Sequence, residues 1–384
     1  MKKYQIGFIL EQALGHITHA QNLRVNIPHD PDVQAHWALV PWETPGIGSR
    51  IPVYKSNWTV RAGLRARSMV ARMTRQHQLD ALFFHSQVPA VLATNWIKRF
   101  PSIVSLDATP RQYDSLGAFY AHDEGPAWLE DLKWRMNRDC YRAARHLVTW
   151  SGWAKQGLID DYEVPAEKIT VIPPGVNSRE WLRATPRTPH AGPVKILFVG
   201  GNLERKGGLL LLEAFRALRD HGVELHLATR DSVVPEPGIF VYNNMQPNSD
   251  ALKQLYHDCD IFCLPTYGDC LPMVLSEAGA AGMPTVATQV AGIPEIVREG
   301  ETGFLVPTGD PHALTEALRW LVLDAGLRLA QGERAVDVVT REFDAQHNAI
   351  RLLELLKREA DSARIESKVS HGTGAVDRVR RGRA

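Results

Sequence analysis

The chain has 384 residues, 44% hydrophobic and 23% charged, with a formal net charge of +1. That length exceeds one ordinary core and points to two domains. The even charge balance gives no overall pull toward nucleic acid or another acidic partner, so any basic patch is local.

The chain opens with Met1-Lys2-Lys3-Tyr4, and the apolar run Ile6–Leu10 ends at Glu11. This run is too short for a signal-peptide core and reads as a first strand, Gln5–Leu10. No stretch approaches the roughly 18 apolar residues of a membrane span, so the chain is expected in the cytoplasm. The turn Leu14-Gly15-His16-Ile17-Thr18-His19 follows. A helical pattern over 60–75 puts Arg61, Arg65, Arg72 and Arg75 on one face and Ala62, Ala66, Met69, Val70 and Met73 on another. It reads as a surface helix with its apolar side on a sheet, or as a basic patch for peripheral contact with an anionic membrane or a phosphorylated acceptor.

Further strand-like runs are Ala81–Phe84, Ile103–Leu106, His146–Thr149 and Ile169–Ile172. His85 ends the first of these and Asp107 follows the second. The Pro-rich stretch Thr185–Pro193 lacks periodicity and reads as a linker, with the boundary near 190. A second strand series follows: Lys195–Val199, Glu224–Ala228, Ile239–Val241, Ile261–Pro265, Thr285–Ala287 and Gly303–Val306. Helical patterns separate all of these, which implies parallel sheets covered on both faces. Asp310 is placed to cap a helix beginning at Pro311. Phe343–Ala363 reads as a long helix with Ile350, Leu353 and Leu356 on one side. The tail 364–384, ending in the basic run Arg378–Arg383, is expected to be disordered. The four cysteines (Cys140, Cys259, Cys263 and Cys270) form no metal or redox spacing and read as reduced, buried side chains.

Two such domains leave a cleft, and ligands bind at the carboxyl ends of parallel strands. One loop there is Gly200-Gly201-Asn202-Leu203-Glu204-Arg205-Lys206-Gly207-Gly208, leading into the helix Leu209–Arg219. Glycines, a helix start and two cations suit a pyrophosphate; a solvated turn is the plainer alternative. The other is Thr266-Tyr267-Gly268-Asp269-Cys270-Leu271-Pro272, leading into Met273–Ala281. Asp269 sits on this loop and Glu277 on the helix, among small residues that imply burial. Carboxylates accept hydrogen bonds from sugar and ribose hydroxyls. Asp258-Cys259-Asp260 has the form of a metal-binding DxD, but it precedes a strand's amino end, away from the cleft.

The ordered series from Gly268-Asp269-Cys270-Leu271-Pro272 through Ser276-Glu277-Ala278-Gly279-Ala280-Ala281-Gly282-Met283-Pro284 resembles the signature of glycosyltransferase family 4. Ala291-Gly292-Ile293-Pro294-Glu295 and Gly300-Glu301-Thr302-Gly303-Phe304 continue it in register. The resemblance implies an α/β protein of GT-B fold, with two Rossmann-like domains whose parallel sheets face a central cleft. The expected division is 1–190 on the acceptor side, 191–343 on the nucleotide-sugar side, and a 344–363 helix returning to the first domain. It implies retaining, metal-independent transfer of a hexose-type sugar from a nucleotide-sugar to a hydroxyl of a glycan, lipid or small molecule. No cofactor is expected, and a UDP-sugar is favoured over GDP- or ADP-sugars.

By resemblance, Glu277 binds the donor ribose, Asp269 contacts the transferred sugar, and Arg205 and Lys206 neutralise the diphosphate. Gly15, Gly200, Gly201, Asn202, Cys270, Leu271 and Met273 line the donor, and His85 lies near the sugar's outer hydroxyl. His16 and Asp107 fall on the acceptor side. Two departures stand out: the first acid is Asp269 where the family usually has Glu, and an Arg common near Asn202 is missing, which leaves its task to Arg205. The alternatives are an epimerase or hydrolase on the same fold, or a non-catalytic nucleotide-sugar-binding relic.

Overall fold

The computed structural model describes residues 3–13, 15–43, 57–117 and 125–381, with side chains as far as 367. It contains two six-stranded parallel sheets. The first has the order β2-β1-β3-β4-β5-β6, formed by β1 (Tyr4–Gln12), β2 (Val33–Pro41), β3 (Ala81–His85), β4 (Ser102–Leu106), β5 (His146–Thr149) and β6 (Ile169–Val171). The second has the order β12-β11-β10-β7-β8-β9. Its strands are β7 (Val194–Val199), β8 (Val223–Ala228), β9 (Ile239–Tyr242), β10 (Ile261–Leu264), β11 (Thr285–Thr288) and β12 (Gly303–Val306). Helices cover both faces, so β3, β4, β5 and β10 are buried along their whole length. This explains their unbroken apolar runs.

The strand β2 is not legible as an apolar run. It is an edge strand with a mixed burial pattern, yet it pairs with β1 from Tyr4↔Val33 to Gln12↔Pro41. The order of strands fixes where a ligand can sit. In the first sheet β1 lies between β2 and β3; in the second β7 lies between β8 and β10. Chain direction around the sheet reverses at each of these points, and the loops leaving the two central strands part to form a crevice. Gly15 and His16 follow β1, and His85 is the last residue of β3. The 200–208 and 265–272 loops follow β7 and β10.

The linker is not loose. The Arg187 guanidinium donates to the carbonyls of Tyr256 (2.8 Å), Ala281 (3.1 Å) and Cys259, and burial lowers its pKa to about 10, so it stays cationic. The chain returns to the first domain beside β6: Val176 N–H donates to Phe343 O (2.9 Å) and Ala345 N–H to Val176 O (2.8 Å). A Cβ on Gly175 would lie 2.3 Å from Ala345 N, so only glycine allows this approach.

Three expectations need correction. The last helix does not stop at 363 but runs Ala345–Arg381. Arg364 pairs with Asp80 (2.9 Å) and Glu366 with Arg145 (2.7 Å), which ties the supposed start of the tail to the first domain. Residues 382–384 lie outside the described residues, as do the side chains of Arg378, Arg380 and Arg381. On this helix Leu353 and Leu356 pack on the first sheet, but Ile350 is exposed. Steps of three drift around a helix, and the buried stripe instead follows Ala349, Leu353, Leu356 and Ala360.

The third correction concerns the basic helix, Trp58–Gln76. Arg61 is buried, with its guanidinium over the rings of Trp42 (5.5 Å) and Trp58 (5.3 Å). Arg65 donates to the carbonyls of Pro41 and Glu43. The exposed arginines are Arg67, Arg72 and Arg75. No helix among the described residues is long and apolar enough to cross a membrane. All four cysteines are buried and unpaired, and burial pushes the Cys140 and Cys259 thiols up to about 12.

Candidate functional site

In the second domain, the 200–208 loop tightens at Gly207, whose φ is +73°. A Cβ there would lie 1.9 Å from Pro265 O, so this glycine lets the loop press against the end of β10. That contact brings Lys206 to Asp269: its Nζ lies 2.7 and 2.6 Å from the two carboxylate oxygens. Thr266 Oγ1 donates to Asp269 Oδ2 (2.9 Å). Arg205 stands 3.5 Å from Asp269 and donates to Gly268 O (3.2 Å). Asn202 Oδ1 accepts from Arg205 N–H (2.7 Å) and shapes the turn.

Two helices begin here, Gly208–Leu218 after Gly207 and Met273–Ala280 after Pro272, and neither start has a side-chain cap. Uncapped helix starts beside two cations favour an anion. A Cβ on Gly201 would meet nothing nearer than Arg230 at 3.9 Å, and one on Gly15 would meet nothing within 4 Å. Gly200 is different: a Cβ there would press on Phe198 at 2.9 Å. Leu271 and Met273 side chains belong to the core, so they offer a ligand backbone only.

Glu277 is 4% exposed. Its Oε2 accepts from the Tyr256 hydroxyl at 2.9 Å, and burial raises its pKa to about 7. The buried position matches its small-residue surroundings in the sequence. It does not join the Lys206–Asp269 group by hydrogen bonding; Tyr256 is its partner.

In the first domain, His85 and His16 face each other, with 2.8 Å between His85 Nε2 and His16 Nδ1. Trp150 lies parallel to His85, with centroids 5.1 Å apart, and His19 packs edge-on at 4.8 Å. Burial holds His85 well below the usual histidine range and lowers His19 to about 3. His16 Nε2 is 3.9 Å from Asp107 Oδ2, which accepts from the Tyr113 hydroxyl at 2.6 Å. Asp107 Oδ1, His85 Nδ1 and Trp150 Nε1 are buried and have no hydrogen-bond partner among the described residues. Such atoms are costly, and their grouping at the ends of β3, β4 and β5 marks a polar face of the cleft. Leu14, in the turn before His16, lies outside the described residues.

The two halves meet at this point. Ala108 and Leu116 pack with Cys270, next to Asp269. Glu295 accepts from the N–H groups of Gly152 (2.8 Å) and Trp153 (3.0 Å), the start of the helix Gly152–Tyr162. Asn248 reaches Gln21 (3.2 Å). Asp258 and Asp260 serve elsewhere: Asp258 accepts from Gln254, and Asp260 accepts from Lys195 N–H at the amino ends of β7 and β10.

Five further residues join the site without a motif that assigns them a role: Tyr256, Trp150, Tyr113, Glu295 and Glu11, the last accepting from Trp58 Nε1 (2.6 Å) and from Ser86. Trp150 directly follows the end of β5, a signal available in the sequence, whereas Tyr113 lies inside the helix Pro110–Ser115. Tyr256 was legible only as a core aromatic, whose hydroxyl needs a partner when buried.

A family model described as Glycosyl transferases group 1 matches residues 193–324, and one described as Glycosyltransferase Family 4 matches residues 25–180. The chain is 29% identical over 244 residues to D-inositol 3-phosphate glycosyltransferase of Corynebacterium glutamicum (strain R), a match covering 56% of this chain and 58% of that protein. The chain spans little more than half the length of the curated relatives it matches. Sucrose-phosphate synthase from Thermosynechococcus elongatus superposes with a TM-score of 0.73 at 15% identity, covering 94% of this chain and 100% of the other. Anabaena Alr3699/HepE, solved with UDP and glucose, gives 0.68 at 16% identity, covering 92% and 100%. At such identities the likeness is one of fold, the GT-B arrangement of two facing α/β domains.

Proposed function

We propose, from the premise that this chain belongs to glycosyltransferase family 4, that it is a retaining, metal-independent transferase moving a hexose-type sugar from a nucleotide-sugar to an acceptor hydroxyl. The observation that carries the reading is the Lys206–Asp269 pair, set between two uncapped helix starts where the β7 and β10 loops part. Lys206, Arg205 and the helix starts meet the charge that develops on a departing nucleoside diphosphate. Asp269 takes hydroxyls of the transferred sugar and Glu277 those of the ribose. His85 and His16 border the sugar from the opposite domain.

A bond forms between the acceptor oxygen and the anomeric carbon as the bond from that carbon to the diphosphate oxygen breaks. The acceptor's proton passes to a phosphate oxygen. The acceptor approaches from the leaving-group side, so configuration is kept. Contact between the halves limits water at the anomeric carbon. The acceptor is a glycan, a lipid or a small molecule, and the UDP and glucose bound by HepE favour a UDP-sugar.

The test is thermal stabilisation by UDP, GDP and ADP with and without a chelator. A ligand at 100 times its Kd adds roughly 2.7 kcal/mol. A chelator-insensitive shift from one nucleotide, lost in Glu277→Ala, is expected. Shifts that require a divalent cation would sink metal independence, an inverted product would sink retention, and no shift from any nucleotide would sink the donor site.

A further inference from the structure

Glu277 lies on the helix Met273–Ala280 and is buried. Among the described residues its one hydrogen-bond partner is Tyr256, whose hydroxyl donates to Oε2 at 2.9 Å. That bond leaves Oε1 as the acceptor available to a ligand. Tyr256 itself is held rigidly. It is fully buried, its ring stacks on Phe262 (5.5 Å between centroids, 14° between planes), and Trp181 meets it edge-on (5.1 Å, 88°). A phenol packed on both sides and aimed at one carboxylate oxygen directs that carboxylate and favours its charged form.

We infer that Tyr256 is a positioning residue for the donor: its hydroxyl turns Glu277 so that Oε1 meets the ribose hydroxyls and favours the carboxylate over the acid. The inference rests on the donor-binding role proposed above for Glu277. A carboxylate accepts from a diol well only when ionised. Burial works against ionisation and the Tyr256 hydroxyl works for it.

Among the described residues, no other ionisable side chain on the elements packed against this helix hydrogen-bonds Glu277. On Ser178–Trp181, Glu180 pairs with Lys253 (2.7 Å) and Arg179 is exposed. On Asp250–Asp258, His257 contacts Trp181 O (2.8 Å), Asp258 accepts from Gln254 and Asp250 is solvent-facing beside Lys253. On Ala325–Glu342, Arg328 donates to Leu321 O and Val322 O, and Arg341 pairs with Glu342. Glu333, Arg334 and Asp337 of that helix make no hydrogen bond to Glu277, and Cys263 of β10 is buried with its thiol pushed up. Tyr256 is therefore the side chain through which the protein tunes this carboxylate.

The test compares wild type, Tyr256→Phe and Glu277→Gln, titrated with UDP, GDP and ADP by calorimetry from pH 5.5 to 8.5, together with donor KM and kcat. Phenylalanine keeps the ring packing and removes only the hydroxyl. Wild-type affinity is expected to fall as pH drops through about 7. One charge-assisted hydrogen bond corresponds to about one pH unit, so Tyr256→Phe should move that midpoint up by about one unit and weaken binding at pH 6.5 by about tenfold. Its affinity should recover at pH 8.5 and its kcat at saturating donor should stay near wild type. Glu277→Gln should bind weakly at every pH. A Tyr256→Phe profile that overlays wild type, while Glu277→Gln loses affinity, overturns the inference and leaves the donor site standing. If wild type binds none of the three nucleotides, the donor-site reading fails and this inference fails with it.

Discussion

Lys206 Nζ sits between the two carboxylate oxygens of Asp269, 2.7 Å from one and 2.6 Å from the other, across 63 residues of sequence. The pair is nearly buried, with side chains 14% and 10% exposed. The carboxylate engages the same cation that a diphosphate would need. Asp269→Ala should therefore tighten nucleoside diphosphate binding several-fold while lowering transfer by about 10²–10³-fold, because a group acting on the sugar is lost. Calorimetry with UDP beside a product assay separates the two effects. Weaker UDP binding in the variant would mean that Asp269 orients Lys206 for phosphate rather than competing with it.

Glu277 gives the apoprotein a pH signature. Its folded pKa, raised to about 7 from an ordinary 4.5, means that the folded state holds the proton more tightly than the unfolded chain. The stability involved is fully present below about 4.5 and is lost as pH rises through about 7, on the order of 3 kcal/mol. Glu277→Gln removes this loss. Relative to wild type, it should be more stable at pH 8 by a few degrees in Tm, and the gain should vanish near pH 5. Equal melting curves at both pH values would show that the site takes in enough water to ionise Glu277 without cost.

The histidines slope the other way. Burial holds His85 and His19 neutral, with folded pKa values far below the unfolded 6.5. Their contribution is present above about 6.5 and is lost as pH falls, because the unfolded chain then takes up protons that the folded chain refuses. His19→Gln and His85→Gln should each flatten the acid limb of the Tm–pH curve between about 6.5 and 5. A limb that stays as steep in the double variant would assign acid loss to carboxylate pairs instead.

The sequence revealed most strands because a parallel sheet covered on both faces demands continuous apolar runs. It concealed β2 because an edge strand is spared that demand. Chain order alone placed Lys206 and Asp269 on cleft loops, but their contact depends on Gly207 closing onto Pro265, a backbone approach that no residue type announces. Arg61 was misplaced because charge suggested solvent, whereas Trp42 and Trp58 give a guanidinium a buried surface. Tyr256 and Glu295 escaped notice for a shared reason: each acts on a group far away in sequence, Glu277 and the Gly152 helix start.

Glu295 carries the last expectation. Its carboxylate meets the N–H groups of Gly152 and Trp153, and Ser151 caps Ala154 N–H (3.0 Å) on the same turn. A carboxylate from the second domain thus completes the cap of a helix in the first. Gly292 fits this junction closely, since a Cβ there would lie 2.9 Å from Cys270 O and 3.0 Å from Ser151 Cβ. An anionic helix cap is worth about 1 kcal/mol. Glu295→Ala should therefore lower kcat/KM about fivefold, while Glu295→Gln, which keeps an acceptor without the charge, should fall between. Small-angle scattering should show a larger radius of gyration for the alanine variant, because the cap joins the two halves. Unchanged scattering with reduced activity would place the effect within the Gly152–Tyr162 helix and its neighbour Trp150. Unchanged scattering and unchanged activity would mean that the packing of Gly292 and Cys270 holds the junction by itself.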